Sequence, residues 1–225
     1  VTEDADTVAR LPEAAAPLNE IRNKVVAQAG EVIDGERSSC RYMECQMGNL
    51  VADAMLARVA DQGIQIALAN GGGIRSSIDA GEVTMGEVYS VLPFQNTLST
   101  FQVTGAVVKE ALENAARQYD DPDLDGRFLQ VSGIKYTIDP SIEFGSRISA
   151  VMVDSGGEFA ALDEAATYGM VSNNFVRGGG DGYSMFVDAA NAYDFGPDLA
   201  EVLAEYMAGQ QNYAPYTDGR ITIVE

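Results

Sequence analysis

The stretch ATYGMVSNNFVRGGGDGY, residues 166–183, joins two kinds of local structure. Its first half, ATYGMVSNN, reads as a strand. Its second half is a glycine triplet, Gly178 to Gly180, followed by Asp181 and Gly182 and flanked by Phe175 and Tyr183. The same grammar occurs earlier. IQIALA, residues 64–69, is a continuous apolar run short enough for a buried strand, and it runs into LANGGGIRSS with its own triplet, Gly71 to Gly73.

Neither triplet is a nucleotide-phosphate motif. A Walker loop needs Lys followed by Ser or Thr after its last glycine. A dinucleotide fingerprint needs G-x-G-x-x-G opening a helix, and no helix pattern begins at Ile74. The plain expectation is that each triplet makes a tight turn with positive φ. The neighbouring residues argue for more. Asn70 and Arg75 bracket the first triplet, and Phe175, Arg177 and Asp181 surround the second. An amide that donates and accepts, a planar donor for oxyanions, an acid suited to paired hydroxyls and a π-face are the groups a nucleoside site requires.

Outward from these loops the pattern alternates irregularly. Residues 17–29 read as a helix with Pro17 at its start and Gly30 as its stop, and residues 30–36 as a short strand. Residues 49–62 form an amphipathic helix pattern, closed by Gly63. Thr84 and Glu87 have capping-box spacing. LSTFQVT reads as a strand, with Thr104 as N-cap to a helix over GAVVKEALENAARQY. Residues 119–126 form an exposed acidic loop. FLQVSG, IKYTID and ISAVMVD read as strands, PDLAEVLAEYMA as a helix begun by Pro197, and GRITIVE as a closing strand. Helices and strands mix without strict βαβ order, which favours α+β with a mixed sheet over a doubly wound fold. There is no solenoid period.

Composition narrows the function. The chain has 225 residues, 46% of them hydrophobic, enough for a substantial core. With 14 basic and 34 acidic residues the net charge is −20, so neither a nucleic-acid backbone nor an anionic membrane surface is a fitting partner. No apolar run reaches the length of a membrane span. The N-terminal residues lack the basic and apolar regions of a signal peptide; residues 1–16 read as a tether, or in part as an additional helix. There is no histidine, which removes Ser-His-Asp and Cys-His nucleophilic machinery and the commonest ligand for zinc and related metals. The two cysteines, Cys40 and Cys45, are compatible with a short-loop disulfide or with two unrelated buried thiols.

Five motifs in order, CRYMECQMGNLVADAM, LANGGGIRSSI, SVLPFQNTL, FLQVSG and NNFVRGGGDGY, resemble the C-terminal domain of the 5′-nucleotidase and UDP-sugar hydrolase family. The likeness runs from about residue 30 to the end. It implies a four-layer α/β/β/α fold and a domain over residues 17–225, joined by the 1–16 tether to an N-terminal metallophosphoesterase domain. That other domain would hold two divalent metal ions and the catalytic residues, so this chain would need no cofactor and carry no catalytic group. By motif position, Phe94 and Phe175 match the aromatics that sandwich the base, and Asn70 the residue bonded to the base edge. Asp181 matches the acid on the ribose hydroxyls, and Arg41 and Arg75 the arginines that reach the ribose and phosphate. Gly72 and Gly73 allow close approach to the backbone. Cys40 and Cys45 match a disulfide pair that would help to fix Arg41. Gly178 stands where a relative has Asn, which suggests looser base selectivity, and Arg177 suggests an added charge near the phosphate.

The implied activity is substrate recognition for hydrolysis of nucleoside 5′-phosphates in a periplasmic or secreted enzyme. Alternatives are the same domain of a cyclic-nucleotide phosphodiesterase, a UDP-sugar hydrolase or a sulfur-oxidation thiohydrolase, and a free-standing nucleoside-binding module.

Overall fold

The computed structural model describes residue Asp4 and residues 15–224. The tether expected over residues 1–16 therefore lies almost wholly outside the described residues. Residues 15–22 are helical (α1), but the helix expected to reach residue 29 stops there. Val25–Ala29 is a strand (β1), antiparallel to Gly81–Thr84 (β3). The β-branched pair Val25 and Val26 finds a strand partner, and tertiary pairing overrides the helical spacing that Leu18 and Ile21 had begun. Gly30 closes a strand, not a helix. The strand expected over residues 30–36 reduces to one isolated bridge, Ile33 to Ile78.

The short helix α2, Arg37–Cys40, leads to α3, Gln46–Arg58. Strand β2, Ile66–Asn70, follows, and after β3 comes α4, Met85–Val91. The capping box is formed: Thr84 Oγ1 accepts from the Glu87 N–H, and the Glu87 carboxylate accepts from the Thr84 N–H at 2.7 Å. Strand β4, Leu98–Thr104, runs into α5, Gly105–Ala116. Then come β5, Leu129–Ser132, β6, Ile134–Ile138, β7, Ile148–Asp154, and β8, Phe159–Ala161. Strand β9, Thr167–Asn173, is followed by a four-residue helix, α6, Asn174–Arg177, which intervenes before the second triplet. The chain closes through β10, Ala190–Tyr193, α7, Leu199–Ala208, and β11, Ile221–Ile223. Asp198, rather than Pro197, starts α7; its carboxylate accepts from the Ala200 and Glu201 N–H groups.

The strands form a five-stranded sheet, β10-β4-β9-β2-β5, a four-stranded sheet, β11-β6-β7-β8, and the β1-β3 ribbon. Each larger sheet is mixed: β2 with β9 and β11 with β6 are parallel, the other pairs antiparallel. This is the expected α+β arrangement with stacked helix and strand layers.

Two cores lie on opposite faces of the five-stranded sheet. Along β2 the residues alternate. Ala67 and Ala69 face α3 and α7, where their small side chains let helix and sheet approach closely, and Ile66 and Leu68 face the core shared with α5 and the four-stranded sheet. The consequence for function lies in the centre. β2 and β9 are parallel neighbours, with Ile66 opposite Met170 and Ala67 opposite Val171. Their C-terminal ends therefore emerge together, and each feeds one glycine loop. Two loops are needed because two strands deliver them to one place.

Candidate functional site

Asn70 ends β2 and Asn173 ends β9, and their side chains meet. The Val176 N–H donates to Asn173 Oδ1 at 2.9 Å, Asn173 Nδ2 donates to Asn70 Oδ1 at 2.9 Å, and Asn70 Nδ2 donates to Asp181 Oδ2 at 2.7 Å. The direction of this chain is set at both ends. A backbone N–H can only donate and a carboxylate can only accept, so neither amide can be flipped without breaking two bonds. The chain holds Asp181 beside Asn70 although 111 residues separate them.

Asp181 stands at φ 52°, ψ 25°, between Gly179 and Gly182 at φ 93° and 82°. Asp tolerates this left-handed region better than most side chains.

The two triplets use glycine differently from the simple expectation. None of Gly71, Gly72 and Gly73 has positive φ, and in the second triplet only Gly179 does. The reason is proximity. A β-carbon on Gly71 would stand 2.4 Å from the Cys40 carbonyl oxygen, and one on Gly72 2.9 Å from that of Gly126. Gly178 is at φ −75°, so backbone freedom is not what that position requires, and the looser selectivity suggested by it loses its basis.

Asn70, Gly72, Gly73, Phe94, Asn96, Phe175 and Asp181 line one cleft of about 390 Å³, within the range of small-molecule sites. Phe94 and Phe175 are 55% and 46% exposed, so neither is a core residue. Each is held from behind. The Arg75 guanidinium stands 5.8 Å from the Phe94 ring centroid, and its Nη1 donates to the Gly72 carbonyl at 3.4 Å. The Phe175 ring lies against Gly180. Six of the residues singled out in the sequence thus come together. Arg75 lies directly beside them, whereas Arg41 is only 4% exposed and does not line the cleft, its backbone standing against Gly71.

Arg41 sits within the loop that Cys40 and Cys45 close as a disulfide. A second device fixes that loop. Gln130, buried on β5, donates through Nε2 to the Cys40 and Met43 carbonyls at 2.9 and 2.7 Å, while its Oε1 accepts from the Cys45 N–H at 3.2 Å. The loop is thereby tied to the sheet, and through Gly71 it abuts the first triplet.

Arg177 does not supply charge to the cleft. Its Nε and Nη2 grip both carboxylate oxygens of Asp194, and Nη1 donates to the Val187 carbonyl at 2.9 Å. The Asp194 carboxyl is held below the usual carboxylate range by the Arg177 hydrogen bonds, and the Arg177 pKa is raised by the same contact. The pair ties α6, which carries Phe175, to the segment after β10.

Sequence reasoning missed Asn96, Asn173 and Gln130. Asn96 and Asn173 stand inside the motifs that flag the two Phe, and adjacency could have nominated them. Gln130 stands inside the motif FLQVSG as well, but nothing local shows its role, since its partners lie 85 to 90 residues away. Among the described residues, no group of three or more His, Cys, Asp or Glu side chains is placed to hold a metal ion, and no helix is long and apolar enough to cross a membrane.

The family described as 5′-nucleotidase, C-terminal domain, matches residues 25–188. The chain is 39% identical over 207 residues to the Trifunctional nucleotide phosphoesterase protein YfkN of Bacillus subtilis (strain 168), covering 91% of this chain and 14% of that protein. It is 32% identical over 231 residues to the 5′-nucleotidase of Homo sapiens, covering 93% of this chain and 40% of that protein. The structure of the 5′-nucleotidase precursor from Thermus thermophilus matches with a TM-score of 0.89 at 39% identity, over 100% of this chain and 44% of that one. The chain spans between 14% and 58% of the length of such curated relatives.

Proposed function

The chain belongs to the 5′-nucleotidase C-terminal domain family, and from that premise we propose that residues 17–225 are the substrate-recognition domain of a two-domain hydrolase acting on nucleoside 5′-phosphates. The observation that carries the reading is the cleft itself: two half-exposed phenylalanines line the same space as a polarised Asn70–Asp181 pair. Phe94 and Phe175 clamp the base by stacking, which contributes roughly 1–3 kcal/mol per base and tolerates different bases. Asp181 takes the ribose hydroxyls through the oxygen and lone pairs that Asn70 leaves free, and Asn70 keeps a second N–H for the edge of the base. Arg75, beside the first glycine loop, guides the anionic end of the ligand, and Arg41, nearly buried, adds positive charge from within the disulfide loop that packs against Gly71.

Hydrolysis belongs to a linked metallophosphoesterase domain carrying two divalent ions, which would polarise the phosphate and supply an activated water. The names of the relatives, nucleotide phosphoesterase and 5′-nucleotidase, support a nucleotide over a small sulfur anion. The disulfide supports an oxidising compartment, periplasmic or extracellular.

The test is an NMR titration of the chain with adenosine, AMP, uridine and thiosulfate. Saturable shifts for the nucleosides, centred on Phe94, Phe175 and Asp181, are the expected result. A response to thiosulfate alone, or to none of the four, would overturn the reading.

A further inference from the structure

Asn114, like Glu113 before it, is a polar side chain buried on helix α5. Its neighbours Ala111, Leu112 and Ala115 are wholly buried and apolar, and Asn114 is itself only 7% exposed. A buried amide in such company is costly unless both its ends are satisfied. Both are. Arg127 Nη1 donates to Asn114 Oδ1 at 2.8 Å, and Asn114 Nδ2 donates to the Asp181 carbonyl at 3.1 Å. A guanidinium has no acceptor, so the amide oxygen must face Arg127 and the N–H must face Asp181. Arg127 is in turn steadied by Tyr183, whose hydroxyl donates to the Arg127 carbonyl.

The contact falls on a left-handed stretch of backbone. Asp181 and Gly182 are consecutive left-handed residues, at φ 52° and 82°, and the accepting carbonyl is the one between them. A β-carbon on Gly182 would stand 3.1 Å from Asn114 Oδ1 and 3.2 Å from Arg127 Nη1, so the loop is seated closely on this pair. The orientation of that peptide sets where the Asp181 side chain leaves the backbone, and thus whether its carboxylate reaches Asn70.

We propose that Asn114, oriented by Arg127, is a positioning residue for the ribose-binding acid: it clamps the Asp181–Gly182 peptide from outside the cleft. Asn114 does not line the cleft and touches no ligand. The proposal rests on the reading of Asp181 given above.

The test compares adenosine with 2′,3′-dideoxyadenosine, which keeps the base and lacks the hydroxyls that Asp181 would bind. Two variants are measured by titration and by thermal unfolding. Asn114→Ala removes the amide. Asn114→Asp keeps its shape and its Arg127 partner but turns the donor facing the Asp181 carbonyl into an acceptor. The expected result is that the wild-type chain prefers adenosine, and that both variants lose roughly tenfold of that affinity, about the upper effect of a single ordinary hydrogen bond, while their affinity for the dideoxy analogue is unchanged. A folded variant that keeps the wild-type preference, or that weakens both ligands equally, overturns the proposal. A wild-type chain indifferent to the hydroxyls overturns the Asp181 reading and the proposal with it, and that outcome is visible before either variant is made.

Discussion

The ring of Phe175 lies so close on the backbone of Gly180 that a β-carbon there would stand 2.5 Å from two ring carbons. That glycine is therefore a seat for the aromatic, and its conformation is secondary, since its φ is not positive. Phe175→Ala should weaken nucleoside binding at least tenfold, as expected for loss of one stacking face. Gly180→Ala should reproduce part of that loss with every cleft side chain still present, because the displaced ring is half-exposed and moves outward. Isothermal titration with adenosine, paired with a melting curve, tests both. Unchanged affinity in Phe175→Ala would dismiss the clamp, and a large fall in melting temperature in Gly180→Ala would mean that the ring cannot yield.

Gln130 gives a stability prediction. Gln130→Leu has similar bulk but strands the Cys40 and Met43 carbonyls and the Cys45 N–H, which Gln130 now satisfies. The cost should be on the order of 3 kcal/mol, since unmet buried polar groups each cost about 1–3 kcal/mol. Urea unfolding would show it as a lower midpoint at unchanged slope. A midpoint equal to that of wild type would mean that water or a local shift replaces all three bonds.

The disulfide should matter for the anionic end of the ligand more than for the base. Cys40 and Cys45 close the loop that contains Arg41, whereas both phenylalanines stand on other elements. Cys40→Ser with Cys45→Ser should therefore lower AMP affinity more than adenosine affinity. Equal losses for the two ligands would assign the bond a purely structural role. Unfolded, unreduced wild-type protein should show no titratable thiol.

Strong local grammar in the sequence matches the structure well. The Thr84–Glu87 capping box and the strand LSTFQVT are each specified within a few residues and form in place, and the run IQIALA, residues 64–69, forms a strand displaced to Ile66–Asn70. Two strands have no such signature. Phe159–Ala161 and Ala190–Tyr193 are exposed along their whole length at sheet edges. A strand with no buried face has no reason to alternate, so no period betrays it. Val25–Ala29 misleads for the opposite reason, because helical spacing upstream continues into residues whose partner, β3, lies more than fifty positions away. The site divides in the same way. Residues on the cleft wall sit in recognisable motifs; of those that hold the wall, Gln130 lies in the motif FLQVSG without its role showing there, and Asn114 is an ordinary letter in a helix. Their meaning depends on contacts that only the folded chain creates.

The Arg177–Asp194 pair carries a pH dependence. The folded Asp194 carboxyl is held below its ordinary value of 3.8, first by the Arg177 hydrogen bonds. A depressed folded pKa contributes stability that is complete above the unfolded value and is lost as pH falls through the folded one. Raw acid titration of this protein would obscure the effect, because protonating other carboxylates also relieves the self-repulsion of a chain at net charge −20. A difference measurement isolates it. The gap in unfolding free energy between wild type and Asp194→Asn should be constant from neutral pH down to about pH 5, then close as pH drops below the ordinary carboxylate range. Both side chains are partly exposed, so added salt should narrow the gap at neutral pH. Because the pair anchors the helix that carries Phe175, nucleoside affinity should fall in the variant at neutral pH and approach that of wild type in acid. A gap that widens on acidification would reverse the sign and show that Asp194 is destabilising when charged.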